Sequence, residues 1–232
     1  MINIKRSQKP KGKINYHDKD IRKKIHKDFY HLCYLCENEV FTSYEIDHFY
    51  TQKNSPDKIN DWDNLFLICS DCNKIRPKKE INKKGKEVLN PCCDDVENLI
   101  QLRFIYNDND INEPEKIEIK SINRNKKIKN TVILLNKIYN LENSFSKRDR
   151  FLFYDKINNR IQNFKNVLKQ YFKIKENCRR KKNIGKKIIE FLRKDTIFKR
   201  VGRDDNSIAF ISFKRQIIKD NPDYKEFEKC FD

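Results

Sequence analysis

Two pairs of cysteines carry the strongest chemical pattern in this sequence. Cys33 and Cys36 form one C-x-x-C pair, and Cys69 and Cys72 form a second one. Each pair can present two thiolates to a single ion from a tight turn, and four thiolates make the closed tetrahedral site that structural Zn²⁺ prefers. The pairs are separated by 32 residues, which is more than a common zinc ribbon has. We therefore predict a structural zinc site with a sizeable insert between its two halves.

The insert contains an acid–histidine pair, Asp47-His48, within the stretch YEIDHFYTQK. A neutral imidazole can take a proton from water near neutral pH, and a carboxylate is an oxygen ligand for a hard divalent ion such as Mg²⁺. Asn64 lies later in the insert, and Asn73 directly follows the last zinc cysteine with a side-chain carbonyl that is another oxygen ligand. Metal-assisted hydrolysis of a phosphodiester uses residues of these types. Taken singly, each has a plainer interpretation as a packed histidine, a solvated acid or a capping asparagine.

The combined pattern C-x2-C … E-I-D-H … D-N-L-F-L-I-C-x2-C-N spans roughly residues 29–80 and resembles the HNH nucleases. Their ββα-metal core, also called the His-Me finger, often carries zinc knuckles around the site. The resemblance implies that His48 is the general base and that Asp47 and Asn73 bind a catalytic Mg²⁺ or Mn²⁺. It also implies that Asn64 holds the loop between the two strands in place. Many members have histidine where this sequence has Asn73.

Strand geometry sets a condition on the acid–histidine pair. Consecutive residues of a strand point to opposite faces of the sheet. Asp47 and His48 can therefore serve one site only where the strand twists or ends.

Four basic residues follow on the predicted helix and are candidates for contacts with substrate phosphates: Lys74, Arg76, Lys78 and Lys79. The net charge of +18, from 52 Lys and Arg against 34 Asp and Glu, favours an acidic partner such as nucleic acid. A solvated helix face is the alternative for the four residues. For the charge, the alternative is the Lys-, Asn- and Ile-rich composition of a genome with low G+C content.

The predicted fold class is α+β, mainly helical, with a ββα-metal core followed by a largely helical C-terminal region. The pattern predicts a helix from Asp18 or Asp20 to the first cysteine pair, strands at YEIDHF and NLFLIC, and a short helix capped at Ser70 or Asp71. Later elements are strands at 100–107 and 116–121, and helices from about 128, from 144 to 173, and in KKIIEFLRK and AFISFKRQIIKD.

Three segments are predicted along the chain. Residues 1–28 form a basic, extended arm and a helix, residues 29–85 form the nuclease core, and residues 86–232 form a mixed, then helical region that could dock a partner. No apolar stretch follows the basic start, and none approaches the ~18 residues of a membrane span, so we expect a cytoplasmic protein without membrane contact. In that compartment the remaining cysteines are interpreted as structural or incidental: Cys92, Cys93, Cys178 and Cys230.

A narrower resemblance extends beyond the nuclease core. The opening MINIKRSQKP, the helix running into CYLCE, and the segments DWDNLFLICSDCN, LNPCCDD and LENSFSKRDR resemble the PtuB-like nucleases of Septu and retron-associated systems. This resemblance implies an effector nuclease of bacterial anti-phage defence that acts beside an ABC/AAA-type ATPase, PtuA. The usual EHF is DHF here, which keeps the carboxylate, and the segment after Cys178 matches no family.

Two other functions stay open. One is a zinc-ribbon module that binds nucleic acid without catalysis, although such a module has no use for Asp47, His48 and Asn73 together. The other is an HNH nuclease of the restriction or homing type, which usually carries a second DNA-reading domain that this sequence does not reveal.

Overall fold

Seven segments of the chain are described by the computed structural model: residues 1–42, 44–77, 81–107, 110–123, 125–140, 147–193 and 209–231. Their contacts define two units. Unit 1 contains Met1–Gln101 and Ile117–Phe145, and unit 2 contains Leu102–Lys116 and Ser146–Asp232. The fold is mixed α/β and about half helical. The three functional segments predicted from the sequence stay a prediction.

The helices and strands of unit 1 are, in chain order, α1 (Lys19–Asp28), β1 (Tyr44–His48), β2 (Leu65–Cys69), α2 (Ser70–Ile75), α3 (Val96–Leu99) and α4 (Lys126–Tyr139). A two-stranded sheet of β3 (Ile100–Asn107) and β4 (Asp110–Ser121) contributes residues to both units. Unit 2 also contains α5 (Lys147–Lys173), α6 (Arg179–Leu192), α7 (Ile211–Asp220) and a 3₁₀ segment, Pro222–Cys230.

The strands β1 and β2 form an antiparallel pair in which Tyr44 lies opposite Cys69 and His48 lies opposite Leu65. All five residues of β2 are buried. Helix α2 follows β2 without a linker and packs against both strands. Both predicted strands are confirmed. Since β1 ends at His48, the acid–histidine pair lies at a strand end. This is the condition under which both side chains can serve one site.

Helix α1 begins as predicted, because the side chain of Asp18 accepts hydrogen bonds from the backbone N–H groups of Asp20 and Ile21 at 2.8 and 3.1 Å. The predicted extension to the first cysteine pair is wrong. Tyr30 and His31 have positive φ angles of 55° and 59°, a left-handed conformation that cannot continue an α-helix.

The predicted basic arm before α1 has no helix or strand, but it is not a solvated tail. Ile2, Ile4 and Ile14 are buried. The guanidinium of Arg6 lies 4.2 Å from the ring centroid of Trp62 and donates a hydrogen bond of 2.8 Å to the carbonyl of Leu65. The arm therefore belongs to the core of unit 1.

The remaining predictions hold for the elements that the structure describes. The strand at 100–107 and the helices α4, α6 and α7 are confirmed, and β4 is longer than predicted. The predicted start of the long helix, residues 144–146, lies outside the described residues, and α5 then continues unbroken to Lys173. Neither the short α3 nor the last 3₁₀ segment was predicted from the sequence.

Unit 2 has an apolar core of its own. Phe164 and Leu168 of α5 pack with Ile188 and Phe191 of α6 and with Ile218 of α7. Each such side chain stabilises the folded state by about 1.5–3 kcal/mol on full burial. Among the described helices, none is long and apolar enough to cross a membrane.

Candidate functional site

The four predicted zinc ligands come together. The sulfur atoms of Cys33, Cys36, Cys69 and Cys72 all lie within 4.8 Å of one another, and all four residues are buried. The sulfur atoms of Cys36 and Cys69 are 3.8 Å apart. A tetrahedral zinc ion with Zn–S bonds of about 2.3 Å separates its sulfur ligands by about 3.8 Å. The cluster therefore fits a structural zinc ion, and within the described residues it is the one group of this kind.

Local backbone geometry builds each half of the cluster. The backbone N–H of Cys33 donates to the carbonyl of Asn38 at 2.9 Å, which closes the first turn. The sulfur of Cys69 accepts a hydrogen bond of 3.4 Å from the backbone N–H of Cys72 and thereby caps α2. The sequence predicted Ser70 or Asp71 as the N-cap of α2, but in the structure Cys69 is the N-cap. Hydrogen bonds with Cys33 and Cys69 raise the pKa of both Cys36 and Cys72. A bound cation favours the deprotonated form of all four thiols.

The first zinc turn reaches the acid–histidine pair through Tyr34, which lies between its two cysteines. The Tyr34 hydroxyl donates a hydrogen bond of 2.9 Å to Oδ2 of Asp47. Burial raises the pKa of Tyr34 well above its ordinary value, so the hydroxyl stays a neutral donor. The zinc half-site and the proposed metal ligand are thus joined by one side chain.

Arg76 is the second partner of Asp47. Its Nε lies 2.8 Å from Oδ2 of Asp47, and its Nη2 donates to the carbonyls of His48 and Phe49 at 3.0 and 2.8 Å. Arg76 is only 3% exposed. Burial opposes its charge, but the oxygens of Tyr34 and Asp47 outweigh burial and raise the pKa of Arg76. Arg76 therefore holds the end of β1 in position.

This placement differs from the expectation that Arg76 contacts substrate phosphate from a helix face. Helix α2 ends at Ile75, and Arg76 has the extended backbone angles φ −62° and ψ 127°. A residue before proline is disfavoured in the helical region, and Pro77 follows. The chain therefore turns the Arg76 side chain into the interior. Lys74 is exposed, with its ammonium 4.0 Å from Asp71, whereas Lys78 and Lys79 lie outside the described residues.

Replacing Arg76 by methionine is expected to reduce the free energy of unfolding by about 3–5 kcal/mol, since it leaves a buried carboxylate without its cation. Lys74→Gln, which removes an exposed charge from the same segment, should change it by less than about 0.5 kcal/mol. Urea unfolding of both variants measures the difference. Equal small effects would mean that Arg76 is the surface phosphate contact that the sequence suggested.

His48 is held in one tautomer. Its Nε2 lies 2.9 Å from the carbonyl oxygen of Ile59, and because a carbonyl can only accept, Nε2 carries the hydrogen. The other nitrogen, Nδ1, then has a free lone pair and faces the side-chain amide of Gln52 at 3.3 Å. Burial, with a smaller contribution from the charge of Arg76, lowers the pKa of His48 below 6.5. The imidazole is therefore neutral at physiological pH, as a general base must be.

Asn64 fixes the loop that carries the carbonyl of Ile59. Its Oδ1 accepts from the backbone N–H of Tyr50 at 2.6 Å, and its Nδ2 donates to the carbonyls of Tyr50 and Lys58 at 3.0 and 2.9 Å. Asn64 is 1% exposed, so all three bonds are shielded from water. The geometry is that of a loop clamp next to the residue that orients His48.

Asn73 faces the site from α2. Its Nδ2 donates a short hydrogen bond to the carboxylate of Glu45 on β1. Since the amide nitrogen is turned to Glu45, the opposite end of the amide, Oδ1, is the end left to act as an oxygen ligand.

A cleft of about 290 Å³ brings the candidates together, and its lining includes Asp47, His48, Asn73, Gln52 and Lys53. A carboxylate and an amide carbonyl are donors that suit Mg²⁺ or Mn²⁺. The residues of this cleft therefore fit a divalent ion by their chemistry. Asn64 lies outside the lining.

Sequence reasoning missed the residues that surround these groups. Tyr34, Glu45 and Gln52 each contact a candidate residue, and the ring of Tyr16 packs edge-on against His48 at 4.8 Å. Only for Arg76 did the sequence contain a signal of its placement, because the proline that follows it indicates that the helix ends before this residue. The other contacts depend on how distant segments meet.

The geometry agrees with an independent comparison. The family model of the HNH endonucleases matches residues 33–79, which begin at the first zinc cysteine and include both strands, the loop between them and α2. The match covers 47 of the 232 residues. It places an HNH domain in the chain, and a domain of this class suggests a nuclease with a nucleic-acid substrate. No curated protein and no solved structure matches the chain.

Proposed function

We propose that this chain is a metal-dependent HNH endonuclease that hydrolyses phosphodiester bonds of DNA, with β1, β2 and α2 as its ββα-metal core. One observation carries the proposal. His48 donates through Nε2 to a backbone carbonyl, which leaves Nδ1 as a base in the cleft that Asp47 and Asn73 also line.

In this mechanism a water molecule in the cleft takes the place of the Gln52 amide at Nδ1 of His48. Nδ1 accepts a proton from the water as its oxygen attacks phosphorus, and the bond from phosphorus to the leaving oxygen breaks. The leaving oxygen keeps the electron pair and takes a proton from solvent. The carbonyl of Ile59 keeps the ring oriented and accepts from Nε2–H of the resulting imidazolium. Positioned general-base catalysis of this kind contributes about 10²–10⁴-fold to a rate.

Asp47 and Asn73 are the residues that would hold the divalent ion. When bound, such an ion would stabilise the negative charge that develops on the phosphoryl oxygens and on the leaving oxygen. Around it, Glu45 sets the orientation of the Asn73 amide, and Arg76 with Tyr34 sets the position of the Asp47 carboxylate.

Asn73→Ala is expected to raise the Mg²⁺ concentration needed for half-maximal DNA cleavage and to lower the maximal rate, because one oxygen ligand is removed. Asn60→Ala, at an exposed asparagine of the loop between the strands, should match the wild type. Cleavage rates over a Mg²⁺ titration measure both quantities. An unchanged titration for Asn73→Ala would remove this residue from the metal site.

Within this function we further propose a cytoplasmic effector of anti-phage defence that acts with an ATPase of the PtuA type. The support is the sequence resemblance to PtuB-like proteins in the opening residues and in LNPCCDD and LENSFSKRDR. A neighbouring gene for an ATPase with Walker motifs, whose product copurifies with this chain on coexpression, is the expected finding. Absence of such a gene from the locus would contradict the defence assignment.

A further inference from the structure

The cations of unit 2 are distributed unevenly. Residues 156–189 contain twelve lysines and arginines and one acidic residue, Glu176. Six of the exposed cations in this stretch lie on α5, on α6 or between the two helices, and we name this set the α5–α6 basic surface: Lys169, Lys173, Lys175, Arg179, Lys182 and Lys186. In the described part of the chain none of them forms an ion pair.

Packing holds these cations on a fixed scaffold. The apolar faces of α5 and α6 meet in the core of unit 2 through Phe164, Leu168 and Ile188. At Gly185 the helices approach so closely that a Cβ atom would lie 3.1 Å from the ring of Tyr171. The two helices that carry the cations are therefore held together by the core.

The arrangement opposes the stability of the helices that carry it. Lys169 and Lys173, and likewise Lys182 and Lys186, are like charges four residues apart on one helix face, which is destabilising. Arg179 and Lys182 lie in the first turn of α6, where the helix dipole disfavours cations, and that turn has no acidic residue and no side-chain N-cap bond. Burial and, to a smaller extent, the charge of Lys169 lower the pKa of Lys165. A genome of low G+C content would explain many lysines. It would not by itself explain the scarcity of the acidic residues that normally pair with lysines on a solvated helix.

From this we propose that the α5–α6 basic surface binds the phosphate backbone of double-stranded DNA, separately from the cleft that contains His48. Residues three and four apart on a helix place their side chains about 5–6 Å from one another, a spacing that lets neighbouring cations contact successive phosphates of one strand. Arg180 and Lys187 are two further exposed cations of α6. Such contacts position a protein on DNA without reading its sequence. The inference rests on the proposed function for its ligand, since DNA is the proposed substrate.

The test measures DNA binding in a His48→Ala background, so that no substrate is cleaved. Fluorescence anisotropy with a labelled DNA duplex gives Kd over a series of salt concentrations. Lys182→Gln with Lys186→Gln should weaken binding roughly 10- to 30-fold near physiological salt and reduce the slope of log K against log salt by about 1.8, if each lysine neutralises one phosphate. The control pair is Lys225→Gln with Lys229→Gln, two exposed lysines of unit 2 that flank Glu226 and Glu228. It removes the same charge and should leave Kd within about twofold of the parent.

An unchanged Kd and slope for the α6 pair, or an equal loss in the control pair, would overturn the inference. An unchanged Kd for the α6 pair would be expected if the partner were an acidic protein surface. An equal loss in the control pair would show a general effect of net charge. The proposed function can fail separately. A wild-type protein that binds duplex through this surface but does not cleave it would contradict the nuclease and leave the DNA-binding surface in place.

Discussion

His48→Ala is expected to lower the single-turnover rate of DNA cleavage by about 10²–10⁴-fold, because the proton acceptor of the attacking water is lost. The fold should survive, since the described ring bonds are only two, to the Ile59 carbonyl and the Gln52 amide, and the zinc cysteines are untouched. Thermal unfolding and the zinc content of the purified variant measure this retention.

His17→Ala is the matched control for this variant. It removes an imidazole from an exposed position whose neighbour, Tyr16, packs against His48. The control should cleave at the wild-type rate. A His48→Ala protein that cleaves as fast as this control would rule out His48 as the general base.

Cys69→Ser is expected to have the largest effect on stability. Serine can still cap α2, so the substitution mainly removes one thiolate from the cluster. A structural zinc site contributes about 10–16 kcal/mol of apparent binding free energy, which is comparable to the total stability of a domain at about 5–15 kcal/mol. Unit 1 should therefore lose its zinc and unfold at far lower temperature. Cleavage should be lost with it, since the first zinc turn carries Tyr34 and so fixes Asp47.

The control for the zinc site is Cys93→Ser, at an exposed cysteine outside the cluster. It should retain one zinc ion per chain and the wild-type melting temperature. Elemental analysis and calorimetry measure both proteins. If Cys69→Ser kept its zinc and its melting temperature, the four-cysteine cluster would not be a structural metal site.

What the sequence could predict was local. The C-x-x-C spacing indicates a metal turn by itself, and the short segments YEIDHF and NLFLIC indicate two strands, because in both cases the signal lies within a few residues. Asp18 was readable as an N-cap for the same reason. The burial of Ile2 and Ile4 could not be predicted, since these two apolar residues are isolated among basic residues that indicate an exposed segment.

What the sequence could not predict depends on long-range contacts. The carbonyl of Ile59 that fixes the tautomer of His48 belongs to an irregular loop, and no residue type marks a backbone acceptor. Tyr34, Asp47 and Arg76 come from three separate segments and meet only because the zinc turns and β1 pack together. Arg76 was therefore interpreted as one more surface cation in a chain that has 52 lysines and arginines.

The central claim is that Asp47, His48 and Asn73 form one metal-dependent hydrolytic site. Its most direct test is the conversion of supercoiled plasmid DNA by zinc-loaded wild-type protein before and after addition of Mg²⁺ or Mn²⁺. Nicked or linear DNA should form only after the ion is added. A folded, zinc-loaded protein that binds the plasmid but leaves it supercoiled with both ions would contradict the claim and favour a zinc-dependent binding module.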